Sequence, residues 1–190
     1  MQTLDEEVKK TCEVLNRGGV VLYPTDTVWG IGCDATNGAA VARVYAIKRR
    51  TDSRAMIVLL DTAAKLNSYV PDFPEIALDL IECSEKPLTI VYPGARNLAP
   101  GLLAADGSIG IRITGDAFSR QLCRAFKKPV VATSANISGE ACPRNFREIS
   151  REILQAVDYV ADCRRDDTTL ACPSSIIRLD RDARVEILRQ

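Results

Sequence analysis

Three short segments of this chain gather the side chains that could do chemistry. The first, at residues 23–32, reads Tyr-Pro-Thr-Asp-Thr-Val-Trp-Gly-Ile-Gly and combines hydroxyls with one carboxylate and one indole. The second is basic, Lys48-Arg49-Arg50, with Arg54 four residues beyond. The third, at 130–139, leads from the apolar run Val-Val-Ala into Thr-Ser-Ala-Asn-Ile-Ser-Gly. Cations beside loops rich in hydroxyls suit the binding of anions such as phosphates and carboxylates.

Each segment also has an ordinary structural interpretation. The first could be a simple Asp/Thr turn, and its two glycines are not a dinucleotide fingerprint because the third glycine and the following helix are missing. The basic run could be the solvated end of a helix, where cations favour the negative end of the dipole. Lys48 and Arg50 would converge on one ligand only if the helix ends there. The third segment could be a plain Ser/Asn turn, although the apolar run before it places the loop at the end of a strand.

The composition excludes several kinds of site. The chain contains no histidine, which rules out Ser-His-Asp and Cys-His nucleophilic sites, a histidine general base and histidine metal ligands. Its 25 basic and 25 acidic residues balance to a net charge of zero, which argues against a protein whose main task is to coat nucleic acid. The seven cysteines are odd in number and include no C-x-x-C pair, so neither a disulfide framework nor a zinc ribbon is predicted.

Helices and strands alternate over the first two thirds of the chain, which predicts an α/β fold with a mixed sheet and flanking helices. Thr3 and Glu6 form a capping box for the first helix, and Asn37 and Asp116 can cap two others. Helices are expected at about 4–15, 38–50, 74–83, 117–126 and 146–154. Strands are expected at about 20–23, 56–60, 88–92, 108–113, 129–132, 159–162, 174–179 and 185–188.

We expect a single domain, residues 1–190, because this length fits one domain and no linker, repeat or low-complexity tract divides the chain. The acidic, polar amino terminus does not resemble a signal peptide. No apolar run approaches the roughly 20 residues that a membrane span needs. The expectation is therefore a cytoplasmic protein without a membrane partner.

Taken together, the three segments resemble the YrdC family of threonylcarbamoyl-AMP synthases. Residues 24–30 are similar to the family's PTDTVYG signature, with Trp29 where tyrosine is usual. The basic run 48–50 resembles its KxR motif, and Ser134-Ala135-Asn136 resembles its SxN motif. Further similarities follow in order along the chain, at residues 87–94, 111–113, 173–177 and 187–189.

Some positions depart from the family pattern. The proline that usually follows the KxR motif is Thr51 here, and Ala55 replaces another proline. Thr114 replaces the proline of the family's V-R-x-P strand. Because the chain ends at Gln190 without the second domain of longer members, it resembles the short, single-domain type.

The resemblance implies a YrdC-like fold, a twisted open mixed sheet whose concave groove carries the site. It implies a nucleotidyltransferase that condenses L-threonine, bicarbonate and ATP, with Mg²⁺, into L-threonylcarbamoyl-AMP and pyrophosphate. A separate transferase complex would then move the threonylcarbamoyl group to the tRNA adenosine next to the anticodon. Clustered cations and the lack of histidine agree with a reaction that needs positioning and positive charge rather than a covalent enzyme intermediate.

The resemblance also implies roles for individual residues. Lys48 and Arg50 would be catalytic and would face the bicarbonate and the phosphates. The side chains expected to bind threonine and bicarbonate, with the carboxylate gripped by the arginine, are Thr27, Trp29, Arg112 and Ser174. Those expected to bind ATP are Arg50, Arg54, Thr133, Ser134, Asn136 and Arg189. No metal-ligating residue is predicted.

Three other functions stay open at this level. One is a carbamoyl-adenylate-forming domain of the hydrogenase-maturation type, although such domains sit in much longer chains. Another is an RNA-binding module without turnover, or an enzyme with weak RNA affinity, because the family's basic concave surface can attract RNA. The zero net charge and the low aromatic content of 5% weaken that alternative, since bases stack on exposed rings. The last is a member that has kept the fold and lost the activity, which the intact Lys48, Arg50, Ser134 and Asn136 argue against.

Overall fold

Most of the predicted elements are present in the computed structural model, which describes residues 3–50 and 56–190. The helices of this part of the chain are α1 (Leu4–Asn16), α2 (Gly38–Ile47), α3 (Leu66–Tyr69), α4 (Ile76–Glu82), α5 (Ala117–Phe126) and α6 (Arg151–Ala156). Its strands are β1 (Val21–Tyr23), β2 (Gly30–Gly32), β3 (Ile57–Leu60), β4 (Leu88–Tyr92), β5 (Ile109–Ile113), β6 (Val130–Ser134), β7 (Tyr159–Val160), β8 (Ser175–Leu179) and β9 (Val185–Arg189).

The strands of the described residues form one sheet in the order β7-β1-β2-β6-β3-β5-β4-β8-β9. Parallel pairs (β1 with β7, β3 with β5, β4 with β8) alternate with antiparallel ones, so the sheet is mixed. The helices flank it, with α1 packed on α5 and α5 on β3. The predicted α/β fold with a mixed sheet is therefore confirmed.

Local signals account for where the helices begin. The Thr3 hydroxyl accepts from the N–H of Glu6, and the Glu6 carboxylate accepts from the N–H of Thr3, which completes the predicted capping box. Asn37 caps α2 and Asp116 caps α5 as expected. Such caps satisfy N–H groups that have no partner inside the helix.

Two helices differ from the sequence-based expectation. Helix α2 ends at Ile47 rather than at residue 50, because Arg49 takes a left-handed conformation with φ 48°. The helix expected at 146–154 is instead a short 3-10 turn at Phe146–Glu148 followed by α6. It is divided because Ser150 accepts from the N–H of Ile153 and starts a new helix there.

Strand β2 was missed by the sequence analysis, although it lies between β1 and β6 near the middle of one half of the sheet. Its sequence, Gly-Ile-Gly, has no alternation of side chains to reveal it. Gly32 is needed because Tyr23 of β1 crosses over β2 and donates its hydroxyl to the carbonyl of Val131 in β6 at 2.8 Å. A Cβ atom at Gly32 would lie 2.2 Å from that carbonyl oxygen and 2.6 Å from the Tyr23 ring.

We therefore expect Gly32→Ala to lower the free energy of unfolding by about 2 kcal/mol, because the added methyl overpacks a space closed by backbone and a buried ring. The matched control is Gly38→Ala at the start of α2, where a Cβ meets nothing within 4 Å. That control should be neutral or gain up to ~1 kcal/mol from the higher helix propensity of alanine. Urea unfolding of the two variants measures the difference, and equal stability would contradict this account of β2.

Candidate active site

A cavity of about 970 Å³ lies against the sheet, and all three chemistry-bearing segments reach it. Its floor is formed by side chains and backbone of β4, β5, β6 and β8, and its rim by the loop that follows β1 and by β9. The volume is that of a site for a nucleotide-sized ligand. Seven of the predicted site residues line it: Thr27, Arg50, Arg112, Thr133, Ser134, Ser174 and Arg189.

Arg112 of β5 is the most deeply buried cation at the cavity wall, with 4% of its surface exposed. Its guanidinium lies 3.1 Å from the Asp26 carboxylate, but the contact lacks the alignment of a hydrogen bond. The Nε atom of Arg112 has no hydrogen-bond partner among the described residues. Burial lowers the pKa of Arg112, and the nearby Asp26 opposes that shift. A buried guanidinium with an unused donor at a cavity wall is suited to an anionic ligand such as a carboxylate.

The hydroxyls near Arg112 are joined into pairs. Thr25 and Thr27 share a hydrogen bond of 3.0 Å between their hydroxyls. Thr89 of β4 and Ser174, just before β8, share another of 2.8 Å. Thr89 and Thr25 were not predicted as site residues, although both lie in segments that resemble family motifs.

Arg189, near the end of β9, is joined to the same group. It donates to the Ser174 carbonyl at 3.0 Å and to the Ser174 hydroxyl at 3.4 Å. Burial lowers the pKa of Arg189 from its ordinary value. The carboxyl-terminal strand thus brings a cation to the cavity wall.

Lys48 is placed differently from the expectation that it faces the ligand. It is 3% exposed and does not line the cavity. Its ammonium donates to the carbonyls of Ser134 at 2.6 Å and Asn136 at 2.8 Å. Burial, reinforced by the neighbouring Arg50, lowers the pKa of Lys48 to about 8. In this structure the side chain therefore holds the loop after β6 against the end of α2.

The Asn136 side chain likewise forms hydrogen bonds within the loop after β6 and is not part of the cavity wall. Its side-chain amide donates to the carbonyls of Ile137 and Glu140, at 3.0 and 2.9 Å. Its Oδ1 atom is buried and has no hydrogen-bond partner in the described chain. The two donated bonds close the turn that presents Thr133 and Ser134 to the cavity.

Trp29, expected to line the threonine pocket, is instead packed on the other side of its loop. The indole is 6% exposed, and its ring centre lies 4.8 Å from that of Phe146. It contributes to a separate recess of about 20 Å³, which is too small for more than about one water molecule. A large apolar ring gains more from burial against Phe146 than from a polar cavity wall.

Arg54, the remaining predicted site residue, lies outside the described residues.

An acidic group at the far end of the cavity was not foreseen. Asp106 lines the cavity and accepts from the Ser108 hydroxyl at 2.6 Å and from Arg178 at 2.8 Å. Those bonds, the one from Ser108 first, lower the pKa of Asp106 to about 2. Cys142, another unforeseen lining residue, has its pKa raised by burial. Residues 3–50 and 56–190 contain no cluster of three or more acidic or cysteine side chains that could hold a metal ion.

Comparison with known proteins agrees with this geometry. The model of the Sua5, YciO and YrdC family, described as telomere recombination, matches residues 13–190. The chain belongs to this family. A relative from Pseudoalteromonas translucida, named threonylcarbamoyl-AMP synthase, is 34% identical over 80% of this chain and 82% of its own. A relative from Methanocaldococcus jannaschii, named putative threonylcarbamoyl-AMP synthase, is 34% identical over 96% of this chain and 87% of its own.

Solved structures of this family share the fold. E. coli YciO superposes with a TM-score of 0.85 at 21% identity, over 100% of this chain and 91% of its own. P. abyssi Sua5 complexed with L-threonine superposes with a TM-score of 0.83 at 22% identity, over 94% of this chain. This chain spans about half of the P. abyssi protein, 52% of its length. The predicted YrdC-like fold is thereby confirmed.

The described part of the chain contains no candidate for a membrane-spanning helix. Within residues 3–50 and 56–190, no helix is both long enough and apolar enough to span a bilayer.

Removing the Lys48 ammonium should destabilise the protein. In Lys48→Met the apolar stem is retained while the carbonyls of Ser134 and Asn136 lose the ammonium as a donor, and only the Ser134 carbonyl keeps another, the N–H of Asn136. We expect a loss of about 1–2 kcal/mol, since an unsatisfied buried carbonyl is costly but the desolvation of the ammonium is also relieved. Arg49→Met, at a neighbouring exposed side chain, is the control and should stay within about 0.5 kcal/mol. Urea unfolding compares them, and an unchanged Lys48→Met would remove this structural role.

Proposed function

We propose that this protein is an L-threonylcarbamoyladenylate synthase, which condenses L-threonine, bicarbonate and ATP and releases pyrophosphate. The observation that carries the proposal is the cavity itself, which four arginines (Arg50, Arg112, Arg178 and Arg189) line together with threonine and serine residues. The names of the relatives, which are about one third identical over most of the chain, support it. The product would serve threonylcarbamoyladenosine modification of tRNA, next to the anticodon.

The chemistry suits a site with cations and no histidine. The threonine amine adds to the carbon of bicarbonate with loss of water, which forms the carbamate. A carbamate oxygen then attacks the α-phosphorus of ATP, and the bond to pyrophosphate breaks. Both reactants are anions, so the enzyme must hold them together and offset their repulsion with fixed positive charge.

Arg112 would bind the threonine carboxylate. It lies buried at the wall with an unused Nε donor, and the Thr27 and Ser174 hydroxyls line the same cavity. A guanidinium can hold a carboxylate through two parallel bonds. The L-threonine bound by P. abyssi Sua5, whose fold this chain shares, is consistent with an amino-acid subsite.

ATP would occupy the part of the cavity lined by Arg50, Thr133, Ser134 and Arg189. Hydroxyls and N–H groups at the end of a strand can surround phosphate oxygens. Lys48 and Asn136 would support this part indirectly, by holding the end of β6, which carries Thr133 and Ser134, and the loop that follows it. Lys48 would therefore contribute to catalysis indirectly, by holding that loop and by adding positive charge near the site. Arg50 would be the cation that contacts the substrate.

Magnesium would enter with ATP rather than reside in the protein. The described residues offer no acidic cluster, and the cavity's Asp106 is already bonded to Ser108 and Arg178. Mg²⁺ commonly keeps several waters and is bound through substrate phosphates. We therefore treat Mg-ATP as the substrate. The product would pass to a separate tRNA threonylcarbamoyl-transferase complex.

The direct test is pyrophosphate release by the purified protein with Mg-ATP and bicarbonate, with threonine present or omitted. We expect release that depends on threonine, with L-threonylcarbamoyl-AMP detected by mass spectrometry. Release that needs no threonine would favour a carbamoyl-adenylate activity of another kind. RNA binding that weakens with salt, without any ATP turnover, would favour the RNA-binding alternative.

Arg50→Ala should lower kcat/KM for pyrophosphate release by about 30- to 1000-fold, because it removes a charge-assisted contact to the phosphates. Arg49→Ala is the matched control. It removes the adjacent arginine, whose side chain is 66% exposed and pairs with Glu152. Both variants should remain folded by circular dichroism. Equal activity in the two variants would exclude Arg50 from the site.

A further inference from the structure

Arg164 lies outside every motif that the sequence analysis identified, yet it joins three parts of the chain. It belongs to the connection 161–174 between β7 and β8. Its guanidinium donates to the Thr25 carbonyl at 3.1 Å and to the Asp116 carboxylate at 2.6 Å. It also donates to Asp167 of its own segment at 3.3 Å.

The two distant partners belong to segments that carry the amino-acid end of the cavity. Thr25 is part of the loop 24–29, whose Thr27 lines the cavity and whose Asp26 pairs with Arg112. Asp116 directly follows the turn after β5, the strand on which Arg112 lies. Arg164 thus fixes the loop relative to the strand.

A second link between the same segments runs through Asp26. The Asp26 carboxylate accepts from the N–H of Gly115 at 3.3 Å and contacts Arg112 at 3.1 Å. Arg164 binds the loop from the opposite side, where it lines the small recess together with Trp29. Because it does not line the main cavity, it can act on a ligand only through the loop.

The backbone at Arg164 is itself unusual. Its φ is 56°, in the left-handed region that arginine rarely adopts. Asparagine and glycine adopt this conformation at lower cost. The three hydrogen-bonded contacts of the Arg164 side chain can offset part of this backbone cost.

We propose that Arg164 is a positioning residue for the threonine subsite, acting by holding the 24–29 loop against the turn after β5. The assignment of threonine to this end rests on the proposed function. Thr133 and Ser134, which are proposed to bind ATP, lie on β6, and none of the hydrogen bonds of Arg164 reaches them. The effect of Arg164 should therefore be larger on threonine than on ATP, although Trp29 at the end of the 24–29 loop accepts from the N–H of Ala135 next to β6.

The test uses Arg164→Asn and Arg164→Gly, which remove the guanidinium while relieving the backbone. Pyrophosphate release is measured against threonine at saturating Mg-ATP and bicarbonate, and against ATP at saturating threonine. We expect KM for threonine to rise by at least about tenfold, the size that loss of a charge-assisted hydrogen bond carries, and KM for ATP to change by less than about twofold. Arg164→Lys, which can still reach one acceptor, should recover part of the loss.

Arg181→Ala is the control for removing an arginine from the surface, since the Arg181 side chain is 60% exposed, lies 3.5 Å from Asp72 and does not line the cavity. It should match the wild type in both KM values. An equal rise in both KM values for the Arg164 variants would show general loosening, and an unchanged KM for threonine would show no role. Either result overturns the proposal.

Hydrogen exchange of the free proteins separates this proposal from the proposed function. We expect Arg164→Asn to speed amide exchange in peptides covering 24–29, with exchange in β3, residues 57–60, unchanged. If the wild type releases no pyrophosphate with threonine, the proposed function fails, while faster exchange in 24–29 would still support positioning of the loop. Unchanged exchange there would overturn the positioning role whatever the activity.

Discussion

The site depends on the buried contact between Lys48 and the loop that follows β6. The lysine ammonium donates to the carbonyls of Ser134 and Asn136, and its own backbone carbonyl accepts from the N–H of Ser138 at 2.9 Å. Two segments more than 80 residues apart are thereby held together at the cavity. The ammonium is desolvated, which is tolerable because its charge is met by two carbonyl dipoles. The same contact leaves Arg50 at the cavity wall.

Close approach of three strands sets the shape of this region. Tyr23 reaches across the glycine strand β2 to β6, so the loops that follow β1 and β6 end side by side. Side chains on β2 would separate them, since a Cβ at Gly32 would collide with Val131. The geometry of the cavity therefore depends on the missing side chain of Gly32 as well as on the polar groups that face the cavity.

The chain has no net charge, so an anion-binding site must come from local positive charges that are incompletely paired with carboxylates. Surface arginines such as Arg43 and Arg144 are matched by nearby carboxylates. At the cavity, Arg112 is less completely satisfied, because its contact with Asp26 lacks hydrogen-bond alignment and its Nε is unused in the described structure. Local electrostatics, rather than the field of the whole molecule, would attract the carboxylate and phosphates of the substrates.

The amino-acid sequence alone determined the class of fold, most helix and strand positions, the helix caps and the segments that meet at the cavity. These follow from periodicity, capping and motifs, which act within a few neighbouring residues. The tertiary structure decided where the side chains point, since Trp29 packs on Phe146 and Lys48 binds backbone carbonyls. It also revealed strand β2, whose glycine-rich sequence gives no strand pattern. Arg164 also became visible only in the fold. Such outcomes depend on contacts between residues distant in sequence, and no local pattern records them.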